Sequence, residues 1–167
     1  MEYSIMKSLT LYLFGVLLLA SLSSCASISS GGSASAYKLT LGDLEETSFD
    51  QILDRMRNYH SLEIERNDTY GSGERRLISY WKPVDYLSQQ AKENKGEVRI
   101  IVEGKSINTQ GYRMLSARFR GEYRALTVGE DGTMGYELVE MPSEVKNYFS
   151  DIAYDLKDFV QGTVRGY

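Results

Sequence analysis

The apolar and polar positions divide the chain into a hydrophobic start, a short stretch of small residues, and a longer part with mixed periodicity. The hydrophobic start is Leu9 to Ala20, a run of twelve residues. A membrane-spanning helix needs about 20 apolar residues, so this length predicts the core of an export signal instead. Residues 26–36, ASISSGGSASA, have the Ser/Gly/Ala composition of a flexible tether.

Helical periodicity marks two long segments of the third part. Apolar residues spaced by three and four positions predict a first helix that is capped by Thr47 or Ser48 and ends near Tyr59. Its apolar stripe consists of Phe49, Ile52, Leu53 and Met56. A last helix is predicted to start at Met141-Pro142-Ser143-Glu144 and to end at Gly162. Its apolar face consists of Val145, Tyr148, Phe149, Ile152, Leu156, Phe159 and Val160. A shorter helix is predicted from Val84 to Asn94.

Strand-like segments lie between these helices. They cover residues 38–41, 62–65, 77–81, 98–102, 123–128 and 135–139. Turn formers in Asn67 to Gly73 and a proline at Pro83 bound the third of them, and residues 104–117 are predicted as a loop leading to a strand. Asp131-Gly132 predicts a β-hairpin between the last two strands, because glycine supplies the positive backbone dihedral of such turns. We therefore expect residues 38–167 to form a single α+β domain, a mostly antiparallel sheet with two principal helices packed on one face.

The residues that follow the apolar run are Leu22-Ser23-Ser24-Cys25, which resemble the lipobox of bacterial lipoproteins. The resemblance implies that residues 1–24 are a signal peptide, that cleavage precedes Cys25, and that the Cys25 thiol takes a diacylglyceryl group. Residues 25–37 would then tether the domain to the membrane. The alternative is an uncleaved anchor or a buried hydrophobic start. Glu2 lies where a signal peptide should be positive, so either Met1 or Met6 is the true start.

The residues after Cys25 bear on where a lipoprotein is sorted. Ala26-Ser27-Ile28-Ser29 places no aspartate beside the cysteine, which favours the outer membrane over the inner one. No acidic cluster precedes Asp43, which favours the periplasmic face over the cell surface. Two or three acyl chains hold a protein on a bilayer almost permanently. We expect an outer-membrane lipoprotein that is anchored and does not span.

Composition narrows the chemistry further. Cys25 is the only cysteine, so after lipidation no thiol remains for a disulfide, a zinc site or a nucleophile. The net charge is −4 and no basic block interrupts the mixture of charges. This argues against a nucleic-acid partner and against electrostatic docking on anionic lipid.

Catalytic motifs are scarce, and we predict no catalytic residue, metal or cofactor. His60 is the only histidine, which leaves little for a Ser-His-Asp arrangement or a metal site. Gly104-Lys105-Ser106 lacks the upstream glycine of a phosphate loop, since that position is Arg99. A carboxylate-dependent glycan hydrolase stays open as an alternative, because it needs only two acids facing across a cleft. The candidate acids are Asp43, Glu45, Glu46, Asp68, Glu103, Glu130 and Asp131.

Two further groups of residues have both a structural and a functional interpretation. Asp151, Asp155 and Asp158 fall on one side of the last helix, either as a solvated face or as a site for calcium or a basic partner. The chain has 13 tyrosines, and rings near a loop either pack in the sheet or stack on a sugar or an apolar peptide. The possible ligand-contact aromatics are Tyr70, Tyr80, Trp81 and Tyr86.

Three segments resemble the plug domain of TonB-dependent outer-membrane receptors, which also occurs in small lipoproteins of Bacteroidota. They are residues 47–53 with the strand 62–64, residues 98–108, and residues 125–128 with Asp131-Gly132 and the closing Val164-Arg165-Gly166. The resemblance implies an accessory role beside a TonB-dependent transporter. The sequence thus favours a non-enzymatic binding module of the cell envelope with a protein or glycan partner. The alternatives are a glycan hydrolase, a glycan-binding lipoprotein and a structural spacer.

Overall fold

The computed structural model describes residues 36–109 and 112–165. The predicted signal peptide, Cys25 and most of the predicted tether lie outside the described residues. No helix in the described part of the chain is long and apolar enough to cross a membrane.

The described strands form one antiparallel sheet. They are β1 (Tyr37–Glu45), β2 (Ile64–Thr69), β3 (Arg75–Ser79), β4 (Lys82–Pro83), β5 (Glu97–Thr109), β6 (Tyr112–Val128) and β7 (Met134–Leu138). The sheet order is β1-β6-β5-β3-β2, with β4 paired to β5 and β7 paired to β6. Since β1 pairs with residues 114–121 of β6 and β7 pairs with residues 124–128, β1 and β7 follow one another along the same edge of β6.

Strands β5 and β6 are the centre of the sheet and pair continuously from Glu97↔Arg124 to Thr109↔Tyr112. The prediction of a loop leading to a strand over residues 104–117 is wrong for the loop, because residues 104–109 continue β5. The strand at its end is present, since residues 112–117 begin β6. These strands tolerate polar residues because side chains alternate between the buried face and the solvent-exposed face of the sheet. Their backbone N–H and C=O groups are hydrogen-bonded to the neighbouring strands.

Helices α1 (Ser48–Asn58) and α3 (Ser143–Arg165) pack on one face of this sheet, and a short helix α2 (Gln89–Glu93) precedes β5. Their buried side chains share one hydrophobic cluster with alternate residues of the central strands. The cluster includes Phe49, Ile52, Met56, Phe149, Ile152 and Leu156 from the helices and Val98, Ile100, Val102, Leu115 and Phe119 from the strands. The predicted α+β class, with a mostly antiparallel sheet and two principal helices on one face, is confirmed.

Helix α3 approaches the sheet closely at one glycine. A methyl group at position 121 would lie 2.6 Å from the ring of Phe149, so only glycine lets this ring lie against β6. The ring also packs against Tyr37 of β1 and Phe119 of β6, with centroids 6.2 Å away in both cases. Gly121 thus fixes where α3 rests on the sheet.

Several predicted bounds differ from the structure. The helix predicted from Val84 to Asn94 is reduced to α2, which begins after Ser88, whose hydroxyl accepts a hydrogen bond from the Ala91 N–H at 3.0 Å. Helix α3 continues past Gly162 to Arg165, because one glycine lowers helix stability only modestly.

The second strand is also displaced from its predicted position. It runs over Ile64–Thr69 and not over residues 62–65, so the predicted turn formers Asn67 and Asp68 belong to β2. They pair with Leu77 and Arg76 of β3. Pairing with a neighbouring strand here outweighs the local preference of Asn and Asp for turns.

Candidate functional site

The face of the sheet opposite α1 and α3 carries the candidate site, and we call it the open face. Residues alternate between the two faces along each strand. The open-face residues of β6 are Ser116, Arg118, Arg120, Glu122, Arg124, Leu126 and Val128, and those of β5 include Glu97, Arg99, Ile101 and Glu103. Ile101 and its neighbour Ile78 are buried there, under charged side chains whose aliphatic stems cover apolar surface.

An arginine-aromatic strip crosses one end of the open face. The Cζ of Arg99 lies 4.5 Å from the ring centroid of Trp81. The Cζ of Arg124 lies 4.1 Å from Trp81 and 4.6 Å from Tyr136. Each such contact is worth about 0.5–1 kcal/mol at an exposed site. The strip, consisting of Trp81, Arg99, Arg124 and Tyr136, therefore links β7 to the β3-β4 connection.

A buried carboxylate lies beside the strip. The side chain of Glu122 is 4% exposed. It accepts hydrogen bonds from Arg99 Nη2 at 2.6 Å and Nε at 3.1 Å, and it is ion-paired with Arg120. Two guanidinium groups compensate one buried negative charge, as a buried carboxylate requires.

A depression of about 380 Å³ opens between β1 and β6 on the open face. Its charged and hydroxyl-bearing lining residues are Lys38, Thr40, Glu103, Arg118 and Arg120; we call it the basic depression. Lys38 lies opposite Arg120 and Thr40 lies opposite Arg118 in the β1-β6 register. Among the described residues neither Lys38 nor Arg118 has an ion-pair partner within 4.0 Å. With three cations and one acid, Glu103, in the lining, the depression carries more positive than negative charge.

The β6-β7 hairpin exposes a group of apolar side chains on the same face. Val128 pairs with Met134, and Leu126 pairs with Tyr136, so these side chains and Leu138 are neighbours. Val128, Met134, Tyr136 and Leu138 are between 41% and 67% exposed. We call these four residues the hairpin patch. Contiguous exposed apolar residues of this kind mark interaction surfaces.

The turn of this hairpin is the one that the sequence predicted. Gly132 has a φ of 78°, and Asp131 Oδ1 accepts a hydrogen bond from the Thr133 N–H at 3.0 Å. The hydrogen bonds that Thr133 donates hold the pKa of Asp131 below its ordinary value. The Asp-Gly prediction is confirmed.

The four possible ligand-contact aromatics are not brought to one place. Tyr80 and Trp81 line a depression of about 240 Å³ together with Glu63 and Lys82. Tyr70 lies at the β2-β3 turn, with its hydroxyl 3.5 Å from Asp68.

Tyr86 lies on the helix side, beside Tyr148 of α3. Burial, followed by the charge and the hydrogen bond of Tyr86, raises the pKa of Tyr148 to about 12. Two of the four predicted aromatics, Tyr80 and Trp81, therefore share a site, and Tyr70 and Tyr86 lie elsewhere.

Asp155 joins the two principal helices. Its Oδ2 accepts a hydrogen bond from Arg55 Nε at 2.7 Å and lies 2.8 Å from His60 Nε2. Hydrogen bonds from Arg55 and then from His60 hold the pKa of Asp155 below its ordinary value, and the same bond raises the pKa of Arg55. The interpretation of the aspartates as a solvated face is thus wrong for Asp155, because a cation of α1 faces it. Asp151 and Asp158 are exposed.

Sequence reasoning missed the basic residues of the open face. The signal was present in Arg118-Phe119-Arg120-Gly121-Glu122-Tyr123-Arg124, a strict alternation of charged residues with aromatic residues or glycine. Among the described residues no group of three or more His, Cys, Asp or Glu is placed to hold a metal ion. The chain matches no protein family model and no curated protein, so its function is inferred from its own residues.

Proposed function

We propose that the chain is a lipid-anchored, non-enzymatic binding module of the outer membrane, and that it holds a protein partner against the hairpin patch. The observation that carries this proposal is the set of exposed apolar residues of β7, bordered by the arginine-aromatic strip. Tyr, Trp, Met and Arg are the residues enriched in protein interfaces, and a few such side chains supply most of the binding energy.

The position of the predicted anchor supports a partner at the membrane. Tyr37 begins β1 and pairs with Gly121, while Leu138 of the hairpin patch pairs with Arg124. The chain therefore enters the sheet three positions along β6 from the hairpin patch. A tether of residues 26–36 reaches roughly 20 Å by the flexible-chain relation. A lipid on Cys25 would keep the hairpin patch near the bilayer, and the plug resemblance favours a TonB-dependent transporter as the partner.

Site-directed photo-crosslinking in intact cells tests this proposal. A photoreactive phenylalanine analogue replaces Tyr136 in the full chain, and the matched control places it at Tyr154, a tyrosine of α3 that is 49% exposed. We expect a covalent adduct with an outer-membrane protein from position 136 only. The adduct should disappear in Cys25→Ala, which leaves the membrane. The same products from both positions, or none from position 136, would contradict the proposal.

A second candidate function is glycan binding at the Tyr80-Trp81 depression. Tyr80 is 52% exposed, and Glu63 and Lys82 lie beside it in the lining. Small-molecule sites combine aromatic side chains with a few polar groups that fix the orientation of the ligand, and this lining has both. Glu63 is the acid of this lining, whereas glycoside hydrolysis uses two, so binding is the chemistry that the depression favours.

Sedimentation with insoluble envelope glycan tests this second function. We expect Tyr80→Ala to reduce the bound fraction several-fold, while Tyr70→Ala, at the β2-β3 turn, leaves it unchanged. Equal retention of both variants would exclude this depression as the site.

A further inference from the structure

We propose that the basic depression, lined by Lys38, Arg118 and Arg120, is a binding site for a phosphate group. This goes beyond the partner role of the hairpin patch and uses different residues of the open face. The even mixture of charges along the sequence gave no sign of it. The fold creates it by placing one lysine of β1 and two arginines of β6 around one depression.

The register brings these cations close together. Lys38 faces Arg120 directly across the β1-β6 pair, and Arg118 faces Thr40 one rung further along the same face. Side chains in such positions lie about 5 Å apart at Cβ, and like charges placed opposite one another destabilise a sheet. Glu122 offsets part of this repulsion through its ion pair with Arg120, and an anion bound between Lys38, Arg118 and Arg120 would offset more of it.

The remaining charges of the depression are already engaged. Arg120 pairs with Glu122, and Glu103, the acid in the lining, lies 3.2 Å from Arg76 Nε. Lys38 and Arg118 have no ion-pair partner among the described residues. The lining thus carries three cations and one acid. The acid lies opposite Arg118 in the β5-β6 register, and its ion pair is with Arg76, outside the depression.

The donor types match the oxygens of a phosphate. Arginine offers a planar fork of N–H donors and lysine adds a compact charge, and the Thr40 hydroxyl lines the same depression. A phosphate group offers at least three oxygens and up to two negative charges to these donors, whereas a carboxylate offers two oxygens and one charge. The volume of about 380 Å³ leaves room for the group that the phosphate is attached to.

The phosphate has two possible sources, a lipid headgroup or a free phosphate in solution. Lys38 lies 13 residues after Cys25, and a flexible chain of that length reaches roughly 20 Å. The lipid source therefore rests on the anchoring proposed above, whereas binding of free phosphate does not. With that anchoring, an anionic phospholipid would lie within reach of the depression.

The test uses the full chain, purified from membranes in an uncharged detergent and titrated by calorimetry at low ionic strength. Three probes are compared: inorganic phosphate, short-chain phosphatidylglycerol, and short-chain phosphatidylcholine, whose choline cancels the phosphate charge. The variants are Arg118→Gln and Lys38→Gln. The matched controls are Arg57→Gln on α1 and Lys146→Gln on α3, both exposed. Thermal melting by circular dichroism verifies that every variant is folded.

We expect saturable binding of phosphate or phosphatidylglycerol that weakens about tenfold in Arg118→Gln and Lys38→Gln, since each loses a charge-assisted contact. The controls should bind as the unmodified chain does, and added salt should weaken binding. Tighter binding of phosphatidylglycerol identifies a lipid headgroup, and tighter binding of inorganic phosphate identifies a free anion.

Three outcomes would overturn the site: no saturable binding of either anion, equal weakening in the controls, or equal binding of phosphatidylcholine that survives in Arg118→Gln. If Cys25 proves not to be lipidated, the proposed anchoring fails, and the inorganic phosphate titration still decides whether the depression binds an anion.

Discussion

Asp155 is a half-buried residue of α3 on the side that faces α1. It accepts hydrogen bonds from Arg55 and His60, about 100 positions earlier in the chain. Its pKa in the folded protein lies below its ordinary value of 3.8, chiefly because of the hydrogen bond from Arg55. A carboxylate with a depressed pKa stabilises the fold fully above its unfolded-state pKa. This contribution is lost as the pH falls through the lower, folded-state pKa.

We therefore expect the free energy of unfolding to decrease in acid, below the ordinary pKa of 3.8. Asp155→Asn should cost about 1–3 kcal/mol at pH 7, because it weakens charge-assisted hydrogen bonds, and its stability should depend less on pH in the acid range. Urea denaturation at several pH values measures both effects. Asp151→Asn, an exposed position of the same helix, is the control, and an equal loss in both variants would contradict the assignment.

Unlike the Asp155 carboxylate, the buried hydroxyl of Tyr123 has no hydrogen-bond partner among the described residues. The Tyr123 side chain is buried, and burial raises its pKa. An unpaired buried hydroxyl costs free energy. We expect Tyr123→Phe to leave stability unchanged or to raise it by up to about 1 kcal/mol in urea denaturation.

Tyr148→Phe is the matched comparison, since the Tyr148 hydroxyl interacts with Tyr86. That variant should lose about 0.5–1.5 kcal/mol. If Tyr123→Phe were the more destabilising of the two, its hydroxyl would have a partner that the contacts of the described residues do not include.

At the scale of elements, the contact between α3 and β6 sets the position of the helix layer. Phe149 lies against the backbone at Gly121, and a larger residue would push the ring out of a close-packed core. Gly121→Ala should destabilise the protein by about 1–3 kcal/mol, the usual cost of overpacking. Thermal or urea denaturation measures this.

Gly135→Ala in β7 is the control, because nothing lies within 4 Å of a methyl group at that position. It should be neutral or slightly stabilising, since alanine restricts the unfolded chain more than glycine does. Similar losses at both positions would show that strand propensity, and not the Phe149 contact, determines the effect.

The elements also differ in how well a local pattern predicted them. Helix α1 and the β6-β7 turn depend on residues a few positions apart, and both were predicted. The segment around residues 104–117 was not, because Gly, Ser, Asn and Thr favour loops when considered alone. Its strand conformation depends on partners on both sides, which belong to β1, β3 and the other half of the β5-β6 hairpin.

At the scale of the whole molecule, the two faces of the sheet differ in burial. One is buried beneath α1 and α3, and the other exposes charged and apolar residues that the core does not need. Met134 and Leu138 belong to the second group. Replacing both with serine should change the free energy of unfolding by no more than about 0.5 kcal/mol, as is usual for exposed positions.

The same double variant should strongly reduce the crosslink from position 136, because it removes apolar contact area of the hairpin patch. Tyr154→Ser, on the helix side, should change neither stability nor crosslinking. A double variant that unfolds at a lower temperature would show that these side chains belong to the core. One that crosslinks as before would contradict the partner role of the hairpin patch.

The sequence by itself determined the features that depend on neighbouring residues. These are the apolar stripes of α1 and α3, the Asp-Gly hairpin and the α+β class. The export and lipidation signal that the lipobox resemblance implies stays a prediction. Tertiary structure alone decided where the charges meet. Lys38 faces Arg120, and Arg55 binds Asp155, across 82 and 100 positions of sequence. Such pairs depend on strand register and helix packing, which the whole hydrophobic core fixes, so no local pattern contains them.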